Sequence, residues 1–167
     1  STIMAIVVPD IETIKKLHQK PTEGELVLLD FLERKLDNEY EIYFQPFING
    51  DKPDIVILKR NGGVVIIEVK DWDLDNYYID GDTHWHLKKN DCRIKSPLYQ
   101  VKSYKNNLFN LHIDDLLPKS ITNRNYHAIV KTMIYFHCEY EYSIKSFIHD
   151  DFDRKRYKKY RNSIKYI

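Results

Sequence analysis

Three charged residues, Asp54, Glu68 and Lys70, have the types and spacing that metal-assisted phosphodiester chemistry requires. Glu68 and Lys70 end the apolar run 64–70, and Asp54 follows Pro53 at the start of the preceding apolar run. Because side chains alternate across a strand, Glu68 and Lys70 should project from one face. Charged groups beside a buried run are costly if they stay dry and unpaired. They must therefore meet solvent, each other or a ligand such as a metal ion.

The turn at 61–63 joins the two apolar runs and predicts that they are antiparallel neighbours. A three-residue loop with Gly62 in the left-handed conformation would place Asp54 opposite Glu68. A two-residue loop would instead pair Asp54 with Val69 and reverse the face on which Asp54 lies. We expect the three-residue loop because it brings the two carboxylates together, a choice that depends on the functional interpretation.

Two carboxylates held close together repel each other, and a divalent cation relieves that repulsion. Oxygen ligands favour Mg²⁺ or Mn²⁺, which would complete its shell with water and phosphate. Lys70 on the same face could hold an attacking water or neutralise developing negative charge. The alternative is a surface Asp at a strand start and an exposed Glu/Lys pair at a strand end.

Glu25 is a fourth candidate, on a predicted N-terminal helix. At about 100° per residue it lies in line with the apolar stripe of Leu29, Leu32 and Leu36, so it could point into the site. Thr22 and Glu25 also have the spacing of a capping box, in which the glutamate folds back onto the helix start. Spacing alone does not decide between the two.

Hydrophobic periodicity and turn residues predict an α/β fold, in which a central mixed sheet is covered by helices. The predicted elements, in chain order, are a helix at 21–38, strands at 40–47, 54–58 and 64–70, a hairpin at 77–87 turning at 80–82, a helix at 96–112, a strand at 128–136 and a basic helix within 150–167.

The chain of 167 residues is long enough for one domain with a proper core. Residues 1–3 precede Met4 and are interpreted as a cloning remnant, so the domain is expected over 4–167. No apolar stretch is long enough to cross a bilayer and no signal peptide is visible, which indicates a cytoplasmic protein. Residues 150–167 carry seven basic and three acidic side chains. That basic end could bind a polyanion or be a solvated helix face.

Four blocks of the sequence together resemble the nuclease-related domain (NERD) family of the PD-(D/E)xK, restriction-endonuclease-like superfamily. They span about residues 21–136 and are Gly24-Glu25, Pro53 to Ile57, Val64 to Trp72 (VVIIEVKDW), and Ser96 to Gln100 (SPLYQ).

The resemblance implies a restriction-endonuclease-like core with Asp54 and Glu68 as metal ligands and Lys70 as the catalytic lysine. It implies that Glu25 is an acidic helper and that Gln100 lies at the site edge. Gln100 could instead be an ordinary polar helix residue.

The chain departs from the family pattern at Asp71, where a polar residue such as Asn is common. This extra carboxylate could draw a second ion or do nothing. Trp72, Lys88 and Lys89 are candidates for substrate binding. Members of the family often precede helicase or kinase-like modules, and we expect this domain to be the N-terminal part of a helicase-containing protein.

Two further patterns have competing interpretations. His84, His86 and Cys92 could contribute to a zinc site, but no fourth ligand has suitable spacing. Aromatic residues of the hairpin could stack on unpaired bases or, as we favour, cover the core; they are Tyr77, Tyr78 and Trp85.

The function expected from these features is Mg²⁺- or Mn²⁺-dependent cleavage of DNA, in DNA processing or defence. A non-catalytic DNA-binding or docking module with a nuclease-like fold is the main alternative, and the same chemistry would serve RNA. A homodimer remains open.

Overall fold

A computed structural model describes residues 3–47, 51–60, 62–82, 84–100, 103 and 130–150. Three α-helices, one short 3₁₀ helix and eight strands have defined limits in this part of the chain. The helices are α1 (Ile11–Lys15), α2 (Glu23–Lys35) and α3 (Glu141–Asp150), and the 3₁₀ helix is Leu74–Asn76. The strands are β1 (Ile6–Val8), β2 (Tyr40–Phe44), β3 (Ile55–Lys59), β4 (Val64–Lys70), β5 (Tyr77–Ile79), β6 (Trp85–Leu87), β7 (Arg93–Ile94) and β8 (Val130–Phe136).

The main sheet has five strands in the order β1-β2-β3-β4-β8. The outer pairs β1–β2 and β4–β8 are parallel, whereas β2–β3 and β3–β4 are antiparallel. This confirms the predicted α/β architecture with a mixed sheet. Strand β4 lies between two neighbours, and its interior is apolar because both of its faces are covered.

Each face of the sheet packs against its own apolar cluster. On one face α2 packs against the sheet, and its Leu28 and Leu29 belong to the same apolar cluster as Ile55 and Ile67. Alternate residues of β8 lie on the opposite face, where Ile134 joins the hairpin and α3. Glu68 pairs with Ile134 across the parallel β4–β8 ladder, so the Glu68 side chain belongs to this second face.

A separate three-stranded sheet, in the order β5-β6-β7, lies in the insertion between β4 and β8. The predicted hairpin at 77–87 is confirmed as β5 and β6, while the short β7 was not predicted. Trp85 is 2% exposed and packs in the second apolar cluster. The prediction that the hairpin aromatics cover the core is therefore right for Trp85.

The loop between β3 and β4 has the predicted length but not the predicted conformation. Ile55 pairs with Ile67, and the N–H of Lys59 donates to the carbonyl oxygen of Gly63 at 3.1 Å, as the three-residue loop requires. The φ of Gly62 is outside the left-handed region, so that part of the prediction is wrong. A Cβ on Gly62 would lie 2.9 Å from the Cβ of Lys59, so close approach explains this glycine.

Other predictions fall partly outside the described residues. The helix predicted at 96–112 is seen at 97–100, and its remainder lies outside the described residues apart from residue 103. The basic segment is likewise outside them from residue 151 onward. Strand β1 and helices α1 and α3 were not predicted from the sequence. In the described ranges, no helix has both the length and the apolar composition needed to cross a membrane.

Candidate active site

Asp54 and Glu68 lie together where β3 begins and β4 ends. The register that pairs Ile55 with Ile67 places Asp54 opposite Glu68 when it is extended by one residue. One oxygen of the Asp54 carboxyl group accepts the backbone N–H of Val69 at 2.7 Å, which fixes this side chain against β4. The two carboxyl groups are close enough for Asp54 to contribute to the raised pKa of Glu68. The predicted pairing of the two acids is thus confirmed.

Glu68 is a buried acid whose surroundings disfavour its charge. Only 3% of the residue is exposed. Burial, followed by the charge and hydrogen bond of Asp54, raises the pKa of Glu68 to about 9, and the ammonium group of Lys70 opposes that shift. A carboxyl group with this pKa carries a proton at neutral pH in the metal-free protein, and that proton can form the hydrogen bond to Asp54.

Lys70 is on the same face of β4 as Glu68, two residues further on, as the alternation predicts. Its Nζ atom is 4.8 Å from the ring centre of Trp72, a distance at which an ammonium group is attracted to an indole ring. Lys70 is half-buried, so its charge lies at the edge of the site rather than in bulk water.

Glu25 closes the predicted capping box and has a second contact, with Gln45, while its role in the site stays a prediction. One carboxylate oxygen closes the capping box by accepting the N–H of Thr22 at 2.9 Å. The other accepts the side-chain amide N–H of Gln45 at 3.2 Å. Glu25 is 5% exposed, and burial together with the nearby charge of Asp54 raises its pKa. Its electrostatic coupling to both Asp54 and Glu68 places it in the acidic group.

Asp71 positions α2, a role that was not predicted from the sequence. Its carboxylate accepts the hydroxyl of Thr22 at 2.8 Å and the backbone N–H of Gly24 at 2.9 Å. A negative charge here also complements the positive end of the helix dipole. Asp71 therefore has a structural role: it joins the end of β4 to the start of α2 and so sets where Glu25 lies.

Gly24 makes that junction sterically possible. A Cβ at this position would lie 2.6 Å from Oδ1 of Asp71 and 2.8 Å from the Cβ of His137. Any side chain would push α2 away from the ends of β4 and β8. The Gly24-Glu25 pair is thus one unit, in which the glycine allows the close approach that brings the glutamate to the site.

Gln45 is a site residue that the sequence analysis missed. It follows β2 with a left-handed backbone (φ 45°), and its N–H donates to the carbonyl oxygen of Asp54 at 2.7 Å. The side chain then reaches Glu25. A strand was predicted to run on to Phe47, and no sequence signal marked Gln45, because its role depends on the left-handed turn that ends β2.

The remaining candidates are Gln100, Lys88, Lys89 and Trp72. Gln100 lies in the helical segment 97–100, and its side-chain oxygen is buried without a hydrogen-bond partner among the described residues. Its place at the site edge stays a prediction. Lys88 and Lys89 are exposed in the turn after β6, and Trp72 contacts Lys70 directly.

The two histidines of the hairpin contact oxygen atoms of the protein. Both ring nitrogens of His86 are engaged, Nε2 with the Asp80 carboxylate at 2.7 Å and Nδ1 with the carbonyl oxygen of Asp91 at 3.1 Å. His84 Nδ1 lies 3.6 Å from the same Asp80 oxygen. Cys92 is a free, exposed thiol whose Sγ approaches the carbonyl oxygen of Arg93.

The paired carboxylates fit a hard divalent cation. Asp54 and Glu68 offer oxygen ligands side by side, and a cation would relieve the repulsion that raises the pKa of Glu68. Within the described ranges, no group of three or more His, Cys, Asp and Glu side chains is arranged to hold a metal ion. A cation at this site would therefore depend on two protein carboxylates and take its other ligands from water and substrate.

Residues 20–137, more than half of the chain, match the family model described as the nuclease-related domain. The matched region includes all of the site residues named above. No curated protein and no solved structure matches the chain.

Proposed function

Because the chain belongs to the nuclease-related domain family, we propose that it is a metal-dependent nuclease that hydrolyses DNA phosphodiester bonds. The observation that carries the proposal is the adjacent pair of carboxyl groups, Asp54 and Glu68, at the facing ends of β3 and β4, with Lys70 on the same face as Glu68. An acid with a strongly raised pKa beside a second acid and a cation is typical of functional sites.

Asp54 and Glu68 would hold Mg²⁺ or Mn²⁺. When bound, such an ion stabilises charge on phosphate oxygens and lowers the pKa of water. The Asp54 carboxylate is already held by the Val69 N–H, so its side chain would lose little conformational freedom when the ion binds. Glu68 must give up its proton, which the positive charges of the ion and of Lys70 favour.

Lys70 would contribute a positive charge where the phosphate becomes more negative in the transition state. The adjacent Trp72 ring restricts the lysine side chain and orients it at the strand end. Glu25, fixed by Thr22 and Gln45, would orient water on the side of the site next to α2. These roles match the needs of in-line hydrolysis of a phosphodiester.

The experiment is cleavage of end-labelled single- and double-stranded DNA, and of RNA, with Mg²⁺, Mn²⁺ or EDTA. We expect metal-dependent cutting that falls by at least about a hundredfold in Lys70→Ala, the size of loss typical for a group that stabilises transition-state charge. Lys131→Ala is the matched control, because Lys131 is an exposed lysine near the other end of the β4–β8 ladder. Equal cutting by both variants would place the activity elsewhere.

Glu25→Gln tests the fourth acid. We expect activity to fall about tenfold, because the amide keeps the shape but loses the charge that orients water. Glu23→Gln is the control, since Glu23 is on the same helix with an 81% exposed side chain. If no protein cuts any substrate yet DNA binding is retained, the docking-module alternative is favoured.

We also propose that this domain precedes a helicase module, which would supply unwound strands to the nuclease. A cytoplasmic location agrees with the free, exposed thiols of Cys92 and Cys138. Cutting that requires an added ATP-dependent helicase partner would support the first of these proposals.

A further inference from the structure

A chain of aromatic contacts leads from the candidate active site to a groove. Lys70 Nζ lies 4.8 Å from the ring centre of Trp72, and Trp72 stacks on Tyr77 with ring centres 4.6 Å apart and planes 18° apart. The opening beside Tyr77 has a volume of about 320 Å³ and lies between the 3₁₀ helix, β5 and α3. We call it the side groove.

The side groove is lined by three aromatic side chains together with polar and charged ones. Tyr77, Tyr142 and Phe147 line it, and Phe147 is in turn 5.1 Å from Trp85 between ring centres. A groove of this size is at the small end of ligand sites, which have apolar walls and a few fixed polar groups. It suits one planar ring system with part of a sugar rather than a larger ligand.

The polar groups of the side groove favour a base over a phosphate. Its charged lining consists of Asp75 and Glu139 against Lys88. Glu139 is fixed by the N–H of Leu74 at 2.7 Å and by the hydroxyl of Ser143 at 2.7 Å, and a carboxylate has further lone pairs to offer. Carboxylates accept hydrogen bonds from the amino groups of bases, whereas they repel phosphate.

From this arrangement we propose that the side groove binds an unpaired nucleobase of the substrate strand, so that the enzyme acts on single-stranded nucleic acid or on frayed ends. The proposal rests on the proposed nuclease function, which it deepens by naming the strand form. A base inside a duplex has its faces covered by its neighbours, so only an unstacked base can lie against Tyr77 and Tyr142.

Two exposed tyrosines provide a matched pair for the test. Tyr142 lines the side groove and Tyr140 does not, yet their rings stack at 5.8 Å and their exposures are 73% and 72%. Neither substitution should unfold the protein, which thermal melting can verify. Loss of a base–aromatic stack weakens binding by roughly fivefold to a hundredfold.

The experiment measures binding in EDTA, which stops cutting, by anisotropy of a labelled 12-nucleotide DNA strand. Three probes are used: the single strand, a blunt duplex of the same sequence, and the same strand with abasic sites. The wild type should bind the single strand at least fivefold more tightly than the other two. Tyr142→Ala should lose at least fivefold in affinity for the single strand, and Tyr140→Ala less than twofold.

Every other binding outcome overturns the proposal. Equal affinity for single strand and abasic strand would mean that only phosphates are bound, and equal affinity for the duplex would remove the strand preference. No measurable binding of the single strand, or equal effects of the two tyrosine variants, would also exclude the side groove. If the wild type cuts DNA and Tyr142→Ala binds the single strand normally, only the side-groove proposal is refuted. Binding that depends on Tyr142 without any cutting would instead refute the proposed catalysis.

Discussion

Two groups of acidic side chains in this molecule have opposite electrostatic character. At the site, burial and a neighbouring carboxyl group raise the pKa of Glu68 to about 9. In the hairpin, the backbone N–H of His84 and the hydrogen bond from His86 lower the pKa of Asp80 to about 2. The residue types are similar, and the difference comes from what faces each carboxyl group.

Asp80 is a structural acid, whereas Glu68 is a candidate functional one. Asp80 accepts the N–H groups of Asp82 and His84 and contacts two imidazole rings, so its charge is satisfied within the hairpin. At the site, Glu68 is buried and faces another acid. This arrangement is stable only if the two carboxyl groups share a proton or a cation. The hairpin needs no ligand, whereas the site has a reason to bind one.

The largest effect should come from Glu68→Gln. We expect cleavage to fall by at least about a hundredfold, because a neutral amide is a poor cation ligand. The same change should stabilise the metal-free protein above pH 7. Since the folded pKa of Glu68 is raised above its unfolded value, the stability it contributes is full at low pH and is lost as pH rises toward 9.

Thermal melting in EDTA from pH 5 to pH 9 measures this second effect. The wild-type melting temperature should decline more steeply with pH than that of Glu68→Gln, and Glu23→Gln should follow the wild type. Parallel curves for all three proteins would contradict the raised pKa.

Metal affinity should depend on pH at the site. A cation displaces the proton of Glu68, so the affinity for Mn²⁺ should rise about tenfold per pH unit from pH 6 to pH 8. Calorimetry in two buffers of different ionisation enthalpy should detect about one proton released. Asp80→Asn should leave this slope unchanged, and a slope near zero would show that Glu68 does not exchange its proton for the ion.

Gly24→Ala should have an intermediate effect that links stability to activity. The added Cβ would collide with Asp71 and His137, costing about 1–3 kcal/mol in the free energy of unfolding and displacing Glu25. Activity should fall about tenfold. Gly81→Ala is the control, because nothing lies within 4 Å of the Cβ that it would add. Equal unfolding free energies for the two variants would argue against a tight β4–α2 junction.

The smallest effect should come from the hairpin. Asp80→Asn removes the charge that both histidines contact, so the melting temperature near pH 6 should fall by only a few degrees. Because the pKa of His86 is raised by Asp80, this loss should shrink as pH rises and the imidazole becomes neutral. Cleavage should stay within twofold of wild type, and a large loss would mean that the hairpin supports the site.

Much of the site could be predicted because it follows from local rules. Strand alternation put Glu68 and Lys70 on one face, and the loop length set the register that brought Asp54 opposite Glu68. The capping-box spacing of Thr22 and Glu25 was likewise readable and is present.

Other features could not be predicted, because they depend on contacts between distant parts of the chain. The role of Asp71 as a cap for α2 joins residues 47 positions apart, from Gly24 to Asp71. Gln45 reaches Glu25 only through a left-handed residue at the end of β2. The missed elements β1 and α1 are short, and their formation depends on packing against β2 and α2.

The sequence by itself determined which chemical groups this protein can bring to a substrate, since strand periodicity and turn length act over a few residues. It determined the acidic pair, the lysine and the α/β class. Only the tertiary structure decided how those groups are tuned. Burial raises the pKa of Glu68, and the junction of β4 with α2 places Glu25, because desolvation and close packing arise only when distant segments meet.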